Sequence, residues 1–279
     1  MARAQKYINR RKREGFFILL FLSFFGYVNA QQVSLADTLQ IALVQITPAW
    51  GDVEKNLENY AERIAACTDC DLIVLPEFFT SGATMERRTA AESAVRRDRI
   101  ADYYSRIVEI MQEWAMHQGA LILGSTIYKE DGKYYNRLVA AFPDGRTEFY
   151  DKHNCFQRGS YTPGDRHVVL DYRGLKIATY ICYDLRFPEW SNNTMGYDMA
   201  VYVANWPFSR HADWESLLRE RAISNQAIIV GVNCVGEDPS GLKYAGESLI
   251  LDSQGEIVAR GGQFIEQIVE TKIGIPSVE

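Results

Sequence analysis

Leu175-Lys176-Ile177-Ala178-Thr179-Tyr180-Ile181-Cys182-Tyr183-Asp184-Leu185-Arg186-Phe187-Pro188-Glu189 is the stretch that decides the reading of this chain. Its apolar run, Leu175 to Ile181 with one alternating Lys176, reads as a buried strand. The run stops at a cysteine, and a short polar turn containing Pro188 follows. A thiol at a strand-to-turn junction can be exposed while its backbone is held rigidly. The N–H of the next residue can then face a reacting carbonyl oxygen, which is how α/β enzymes tend to present nucleophiles. Free cysteine is also among the most buried residue types, so the stretch alone reads more readily as a structural thiol. The rest of the chain changes that balance.

Upstream, Leu39 to Ile46 has the pattern of a strand, and Pro48 and Gly51 end it. Leu57, Tyr60, Ala61 and Ile64 recur at helical spacing. Leu72 to Leu75 reads as a buried strand running into Pro76-Glu77. Ile100, Tyr103, Tyr104, Ile107, Ile110, Met111 and Trp114 predict one longer helix whose apolar stripe is core. Leu121 to Ile127 and Tyr134 to Phe142 read as strands. The turn Pro143-Asp144-Gly145-Arg146 leads into Thr147 to Tyr150 and then Asp151-Lys152.

His167 to Asp171 forms a hairpin with Leu175 to Ile181. Downstream, Met199 to Val203 is a strand ending in Ala204-Asn205-Trp206-Pro207. Trp214, Leu217, Leu218 and Ala222 mark a helix, and Ala227 to Asn233 a further strand. Tyr244 to Asp252 and Glu256 to Arg260 read as a hairpin, with a last strand near Ile265 to Thr271. Strand–helix–strand units alternating with hairpins predict an α/β fold. Mixed sheets are covered by helices, a sandwich rather than a purely parallel sheet. The glycines fit neither a dinucleotide-binding fingerprint nor a phosphate-binding loop.

The 279 residues carry a formal net charge of −6, with 47% hydrophobic and 24% charged residues. That is ordinary globular composition, and an acidic chain of this kind argues against a nucleic-acid-binding body. No repeat or linker divides it, so one domain is expected over residues 35–279. The five cysteines are odd in number and scattered, unlike a disulfide framework. Cys67-Thr68-Asp69-Cys70 closes a helix and lacks a second ligand pair, so it reads as incidental and not as a zinc or redox motif. Residues 1–34 begin with Arg3, Lys6 and Arg10 to Arg13, continue through an apolar run from Phe16, and reach Val28-Asn29-Ala30. This predicts a signal peptide and export to the periplasm; an over-extended gene start with a cytoplasmic protein is the competing reading. The apolar run is short for a membrane span, which takes about 20 residues.

Glu77, Lys152 and Cys182 each fall at the C-terminal end of a predicted strand, the edge where open α/β sheets bind ligands. A carboxylate, an ammonium and a thiol there form a chemically sensible set. Lys152 would favour the thiolate and stabilise a developing oxyanion. Glu77 would take the thiol proton and pass it to a leaving amine.

Leu75-Pro76-Glu77, Asp151-Lys152-His153 and Ile181-Cys182-Tyr183-Asp184-Leu185-Arg186-Phe187-Pro188 resemble the Glu–Lys–Cys signature blocks of the carbon–nitrogen hydrolase (nitrilase) superfamily. Tyr202 to Pro207, Arg219 to Gln226 and Tyr244 to Ser248 are similar to its ω-amidase branch. The resemblance implies a four-layer αββα sandwich that pairs into a homodimer. It also implies amide hydrolysis through a cysteine acyl-enzyme, with no metal and no cofactor. Cys182 would attack, Lys152 and the Tyr183 N–H would hold the oxyanion, and Glu77 would act as acid and base. The implied substrate is a short 2-oxo acid with a terminal amide, of the 2-oxoglutaramate kind. Such a substrate needs a cation at its far end, for which Arg186 is a candidate, although Arg186 could equally be a structural ion pair. Asn205 and Trp206 are candidates for lining the site, with a core role for Trp206 left open.

Two departures stand out. Many relatives carry a second glutamate soon after the lysine, whereas Asp165 and Asp171 are the only acids between Lys152 and Cys182. A shortened loop there leaves open a non-catalytic or differently specific relative. The chain also ends at Glu279, sooner than such relatives usually do, which would be expected to weaken a dimer.

Overall fold

The computed structural model describes residues 38–83, 89–156 and 160–275. The N-terminal segment read as a signal peptide or extension lies outside these residues, as does part of the loop after Lys152. Among the described residues, no helix is long and apolar enough to cross a membrane.

In chain order the elements are β1 (Thr38–Gln45), α1 (Val53–Ala66), β2 (Leu72–Val74), α2 (Ala90–Ala101), α3 (Tyr104–Gln118), β3 (Leu121–Glu130), β4 (Lys133–Ala141) and β5 (Thr147–Asp151). Then come β6 (Val169–Tyr172), β7 (Leu175–Ile181), α4 (Pro188–Ser191), β8 (Met199–Ala204), α5 (His211–Asn225) and β9 (Ile228–Asn233). The chain finishes with β10 (Val235–Glu237), β11 (Lys243–Ala245), β12 (Leu249–Leu251), β13 (Ile257–Arg260) and β14 (Gln267–Gly274).

The strands form two mixed six-stranded sheets, ordered β14-β1-β2-β3-β4-β5 and β13-β12-β9-β8-β7-β6, with β10 and β11 as a separate pair. Each sheet has three parallel central strands, β1, β2, β3 in one and β7, β8, β9 in the other. Antiparallel strands flank both trios. In the first sheet Leu39, Ile41, Leu43, Leu72, Val74, Leu121 and Leu123 share a core with Ile177, Tyr180 and Val201 of the second. The alternate residues Ala42, Val44, Ile73 and Ile122 pack with Tyr60, Ile107 and Met111 of the helices. Both faces of these strands are therefore buried, which is why they read as unbroken apolar runs. On the second sheet α5 packs against β9 and β12. The layers are helices, sheet, sheet, helix: the four-layer αββα sandwich.

Two elements differ from the sequence reading. The helix expected across Ile100 to Trp114 is two helices, α2 and α3, broken at Asp102-Tyr103. α2 starts earlier, at a capping box in which Thr89 and Glu92 cap one another. The strand expected over Tyr244 to Asp252 is also broken in two. Gly246 and Glu247 both have left-handed backbones, with φ of +74° and +56°. A Cβ on Gly246 would lie 2.3 Å from the Gln45 side chain. That amide accepts from the Ser248 N–H at 2.8 Å and donates to the Gly262 carbonyl at 2.8 Å. Glycine lets Gln45 tie β1 to this corner, and the corner splits the strand.

Candidate active site

The C-terminal ends of β2, β5, β7 and β8 meet along one edge of the sandwich. Glu77 follows β2, Lys152 follows β5, Cys182 follows β7 and Asn205 follows β8. All four line one cavity of about 300 Å³. The three residues singled out by position in the sequence are thus brought together.

Glu77 is at the centre. Its Oε1 accepts from Lys152 Nζ at 2.7 Å and from Asn136 Nδ2 at 2.7 Å. Its Oε2 accepts from the Asn205 backbone N–H at 2.9 Å, while Asn205 Nδ2 donates to the Glu77 carbonyl at 2.6 Å. A carboxylate can only accept, so these bonds also fix which way both asparagine amides point. The Glu77–Lys152 pair is almost wholly buried, with side chains 4% and 6% exposed. Burial pulls the Lys152 ammonium towards its neutral form. The nearby Glu77, Cys182 and Asp184 outweigh that pull and hold its pKa above the ordinary lysine value.

Cys182 opens a short 3-10 helix, Cys182–Arg186, directly after β7. Its φ is +46°, in the left-handed region that costs a non-glycine residue roughly 1–2 kcal/mol. Phe78, next to Glu77, is also left-handed, with φ of +48°. Backbone strain of this kind persists where surrounding contacts over-determine the conformation. The contacts at Cys182 come from Asp184. Its buried carboxylate accepts from the Ile181 N–H at 3.0 Å, Tyr150 Oη at 2.8 Å, the Asn154 N–H at 2.7 Å and Asn154 Nδ2 at 3.1 Å. Burial raises the Asp184 pKa, opposed by Lys152 and by these donors.

Opposing influences act on the thiol. Burial first, and the Glu77 charge second, push the Cys182 pKa up, and Lys152 offsets them only in part. Lys152 favours the thiolate, as expected, but burial and Glu77 push harder towards the neutral thiol. The Cys182 sulfur lies 4.0 Å from the Asn205 carbonyl, and it lines the same cavity as Glu77 and Lys152. A nucleophile in this state needs a base beside it, and Glu77 is the carboxylate that lines the same cavity.

The other expected residues are placed as follows. The Tyr183 N–H sits in the first turn of the 3-10 helix, where amides have no intrahelical partner, and its ring lines the cavity. Trp206 is 3% exposed, lines the cavity and packs against Trp214 at 5.4 Å. It is therefore both core and wall. Arg186 is not among the described lining residues. It pairs with Asp213 and lies over the Trp206 indole, 4.9 Å from the ring centroid. Of the two readings left open for Arg186, the structure has the ion pair.

Asn136 and Asp184 were not singled out in the sequence. Asn136 is on β4, which runs antiparallel to β3, so its N-terminal part reaches the edge where β2 ends. A polar residue on the inward face of a strand, in register with Leu138 and Ala140, is the signal that could have found it. Asp184→Ala is expected to cost about 3 kcal/mol of stability, because four buried donors lose their acceptor. Urea denaturation checks this. Asp184→Asn should lie between Ala and wild type, since one oxygen is kept.

Metal-type donors gather elsewhere. Cys67, Cys70 and the Glu270 carboxylate lie within 4.8 Å of one another. They sit at the start of β2, the end opposite Glu77. The neighbouring Cys67 first, and burial second, raise the Cys70 pKa.

Comparison with known proteins places the chain in a family. The carbon–nitrogen hydrolase family profile matches residues 40–279. The chain is 40% identical over 225 residues to the omega-amidase YafV of Escherichia coli (strain K12), covering 79% of this chain and 84% of that one. It is 30% identical over 247 residues to the 2-oxoglutaramate amidase of Bacillus subtilis (strain 168), covering 84% and 90%. Among solved structures, XC1258 of Xanthomonas campestris, a CN-hydrolase superfamily protein described with an arsenic adduct in its active site, superposes with a TM-score of 0.78. It is 34% identical, with 85% of this chain and 91% of that chain covered. Saccharomyces cerevisiae Nit3, at 23% identity and a TM-score of 0.75 over 85% and 90% of the chains, shares the fold.

Proposed function

The chain belongs to the carbon–nitrogen hydrolase family, and from that premise we propose that it is a thiol ω-amidase using Glu77, Lys152 and Cys182. It is a hydrolase of amide C–N bonds. The observation that carries the finer reading is the convergence of the buried Glu77–Lys152 pair and the Cys182 thiol on a single cavity.

In this reading Glu77 takes the thiol proton as Cys182 Sγ attacks the amide carbonyl carbon. The carbonyl oxygen becomes an oxyanion, held by Lys152 Nζ and the Tyr183 N–H. Glu77 returns the proton to the amide nitrogen, the C–N bond breaks and ammonia leaves. A thioester on Cys182 remains. Glu77 then deprotonates a water, which attacks the thioester carbonyl, and the acid is released with the thiol restored. Lys152 stays protonated throughout, consistent with its raised pKa. The proposed substrate is a short dicarboxylate monoamide of the 2-oxoglutaramate kind, the substrate that the name of the Bacillus subtilis relative gives.

Purified protein is expected to release ammonia from 2-oxoglutaramate with saturation, mole for mole with 2-oxoglutarate. A coupled ammonia assay across succinamate, glutaramate and 2-oxoglutaramate tests it. Absence of ammonia from every short ω-amide would contradict the reading.

A further inference from the structure

We infer that Arg97 and Arg210, reaching the cavity from the two halves of the sandwich, form the subsite that holds the substrate's far carboxylate. This rests on the reading of Cys182 as the nucleophile towards a short ω-amide.

The charges lining the cavity are unbalanced. Among its described lining residues the cations are Arg96, Arg97, Lys152 and Arg210, and the acid is Glu77. Glu77 and Lys152 satisfy one another. The remaining charge on the walls is positive, so the space between them favours an anion.

Arg97 is on α2, and its guanidinium carbon lies 4.6 Å from the Tyr134 ring centroid and 5.9 Å from that of Tyr161. Arg210 ends the short helix Phe208–Arg210 after β8, and its guanidinium carbon lies 4.8 Å from the Phe156 ring centroid. Neither has an ion-pair partner among the described residues, and Arg97 Nε is buried without a hydrogen bond. Three acids close to them in the chain or in the fold are committed elsewhere. Asp98 holds Lys129 and the Tyr134 hydroxyl, Asp213 holds Arg186, and Glu247 faces His211 at 3.7 Å. A guanidinium stacked on an aromatic face keeps its in-plane donors for a carboxylate.

Each arginine is also at a fixed remove from the reacting groups. Tyr161, under Arg97, packs on Phe78 at 5.4 Å, and Phe78 follows Glu77. Phe156, under Arg210, packs on Tyr183 at 5.2 Å, and Tyr183 follows Cys182. Packed rings thus link each arginine to the segment that carries a reacting residue. They form an apolar floor for a short acyl chain with its amide at Cys182 and its carboxylate between the arginines.

Arg97→Met and Arg210→Met test this with two substrates of equal length, glutaramate and the neutral pentanamide. The measured quantity is kcat/KM for glutaramate divided by that for pentanamide. Each variant should lower this ratio on the order of 10- to 100-fold, mainly through the glutaramate KM, since a charge-assisted hydrogen bond is lost. Arg210→Lys should recover part of the loss. A ratio within twofold of wild type in either variant, even with both substrates slowed, overturns the paired subsite. Should wild type hydrolyse no amide, the failure belongs to the catalytic reading. The subsite is then read by titrating glutarate calorimetrically. Binding to wild type that weakens 10- to 100-fold in the variants supports the subsite, and no binding to wild type overturns it.

Discussion

Cys182→Ala is expected to abolish ammonia release, lowering kcat on the order of 10⁴-fold or more, as removal of a nucleophile does in other covalent hydrolases. The sulfur forms the bond to the acyl group, and no neighbour can replace it. Lys152 and Glu77 are already paired, and the Cys155 thiol sits against the Lys152 carbonyl at 3.6 Å with its own pKa raised by burial to about 11. Substrate should still bind, because the donors around the carbonyl stay in place. The fold should persist too, since alanine fits the space and Asp184 still pins the backbone at Ile181. Cys182→Ser should retain a trace of activity, as a hydroxyl is a poorer nucleophile. Single-turnover ammonia release, with circular dichroism as the folding control, decides the matter. Activity within tenfold of wild type in a folded Cys182→Ala protein would remove Cys182 from the mechanism.

Glu77→Gln is expected to fail twice over. Loss of the general acid–base costs roughly 10²- to 10⁴-fold in kcat, and the neutral resting thiol makes the upper end the better expectation. Glutamine also leaves the Lys152 ammonium buried without its counter-ion. Breaking a buried pair by removing one partner typically costs about 3–5 kcal/mol. Lys152→Met should be destabilising for the mirror reason, stranding the Glu77 charge. The double variant Glu77→Gln/Lys152→Met should be less destabilised than the sum of the two singles, because no charge is stranded. Urea denaturation of the four proteins closes this cycle. Additive losses would show that the pair is not coupled, and the site's electrostatics would need a different account.

Much of the fold was legible because its central strands are covered on both faces. Leu72 to Leu75 and Leu175 to Ile181 must be apolar throughout, and such runs stand out in a sequence. The catalytic candidates were legible because Glu77, Lys152 and Cys182 each interrupt the chain where a strand leaves the core. What was not legible depends on contacts distant in the chain. The break at Asp102-Tyr103 has no glycine or proline to announce it. The corner at Gly246-Glu247 exists because Gln45, some two hundred residues earlier, occupies the space a side chain would need. The sequence leaves Arg186 open between a substrate cation and an ion pair because its partner, Asp213, comes from α5. The protonation of Cys182 turns on burial, which no local pattern reports. Local sequence marks where a strand ends but not which charges meet there.

The acyl-enzyme tests the central claim most directly. Wild-type protein is mixed with 2-oxoglutaramate, quenched in acid within the first turnover and digested, and the peptide carrying Cys182 is weighed. The account predicts an added mass equal to the substrate less ammonia, on Cys182 and released by hydroxylamine. Ammonia released at full rate with that peptide unmodified, or with the adduct on another residue, would contradict it.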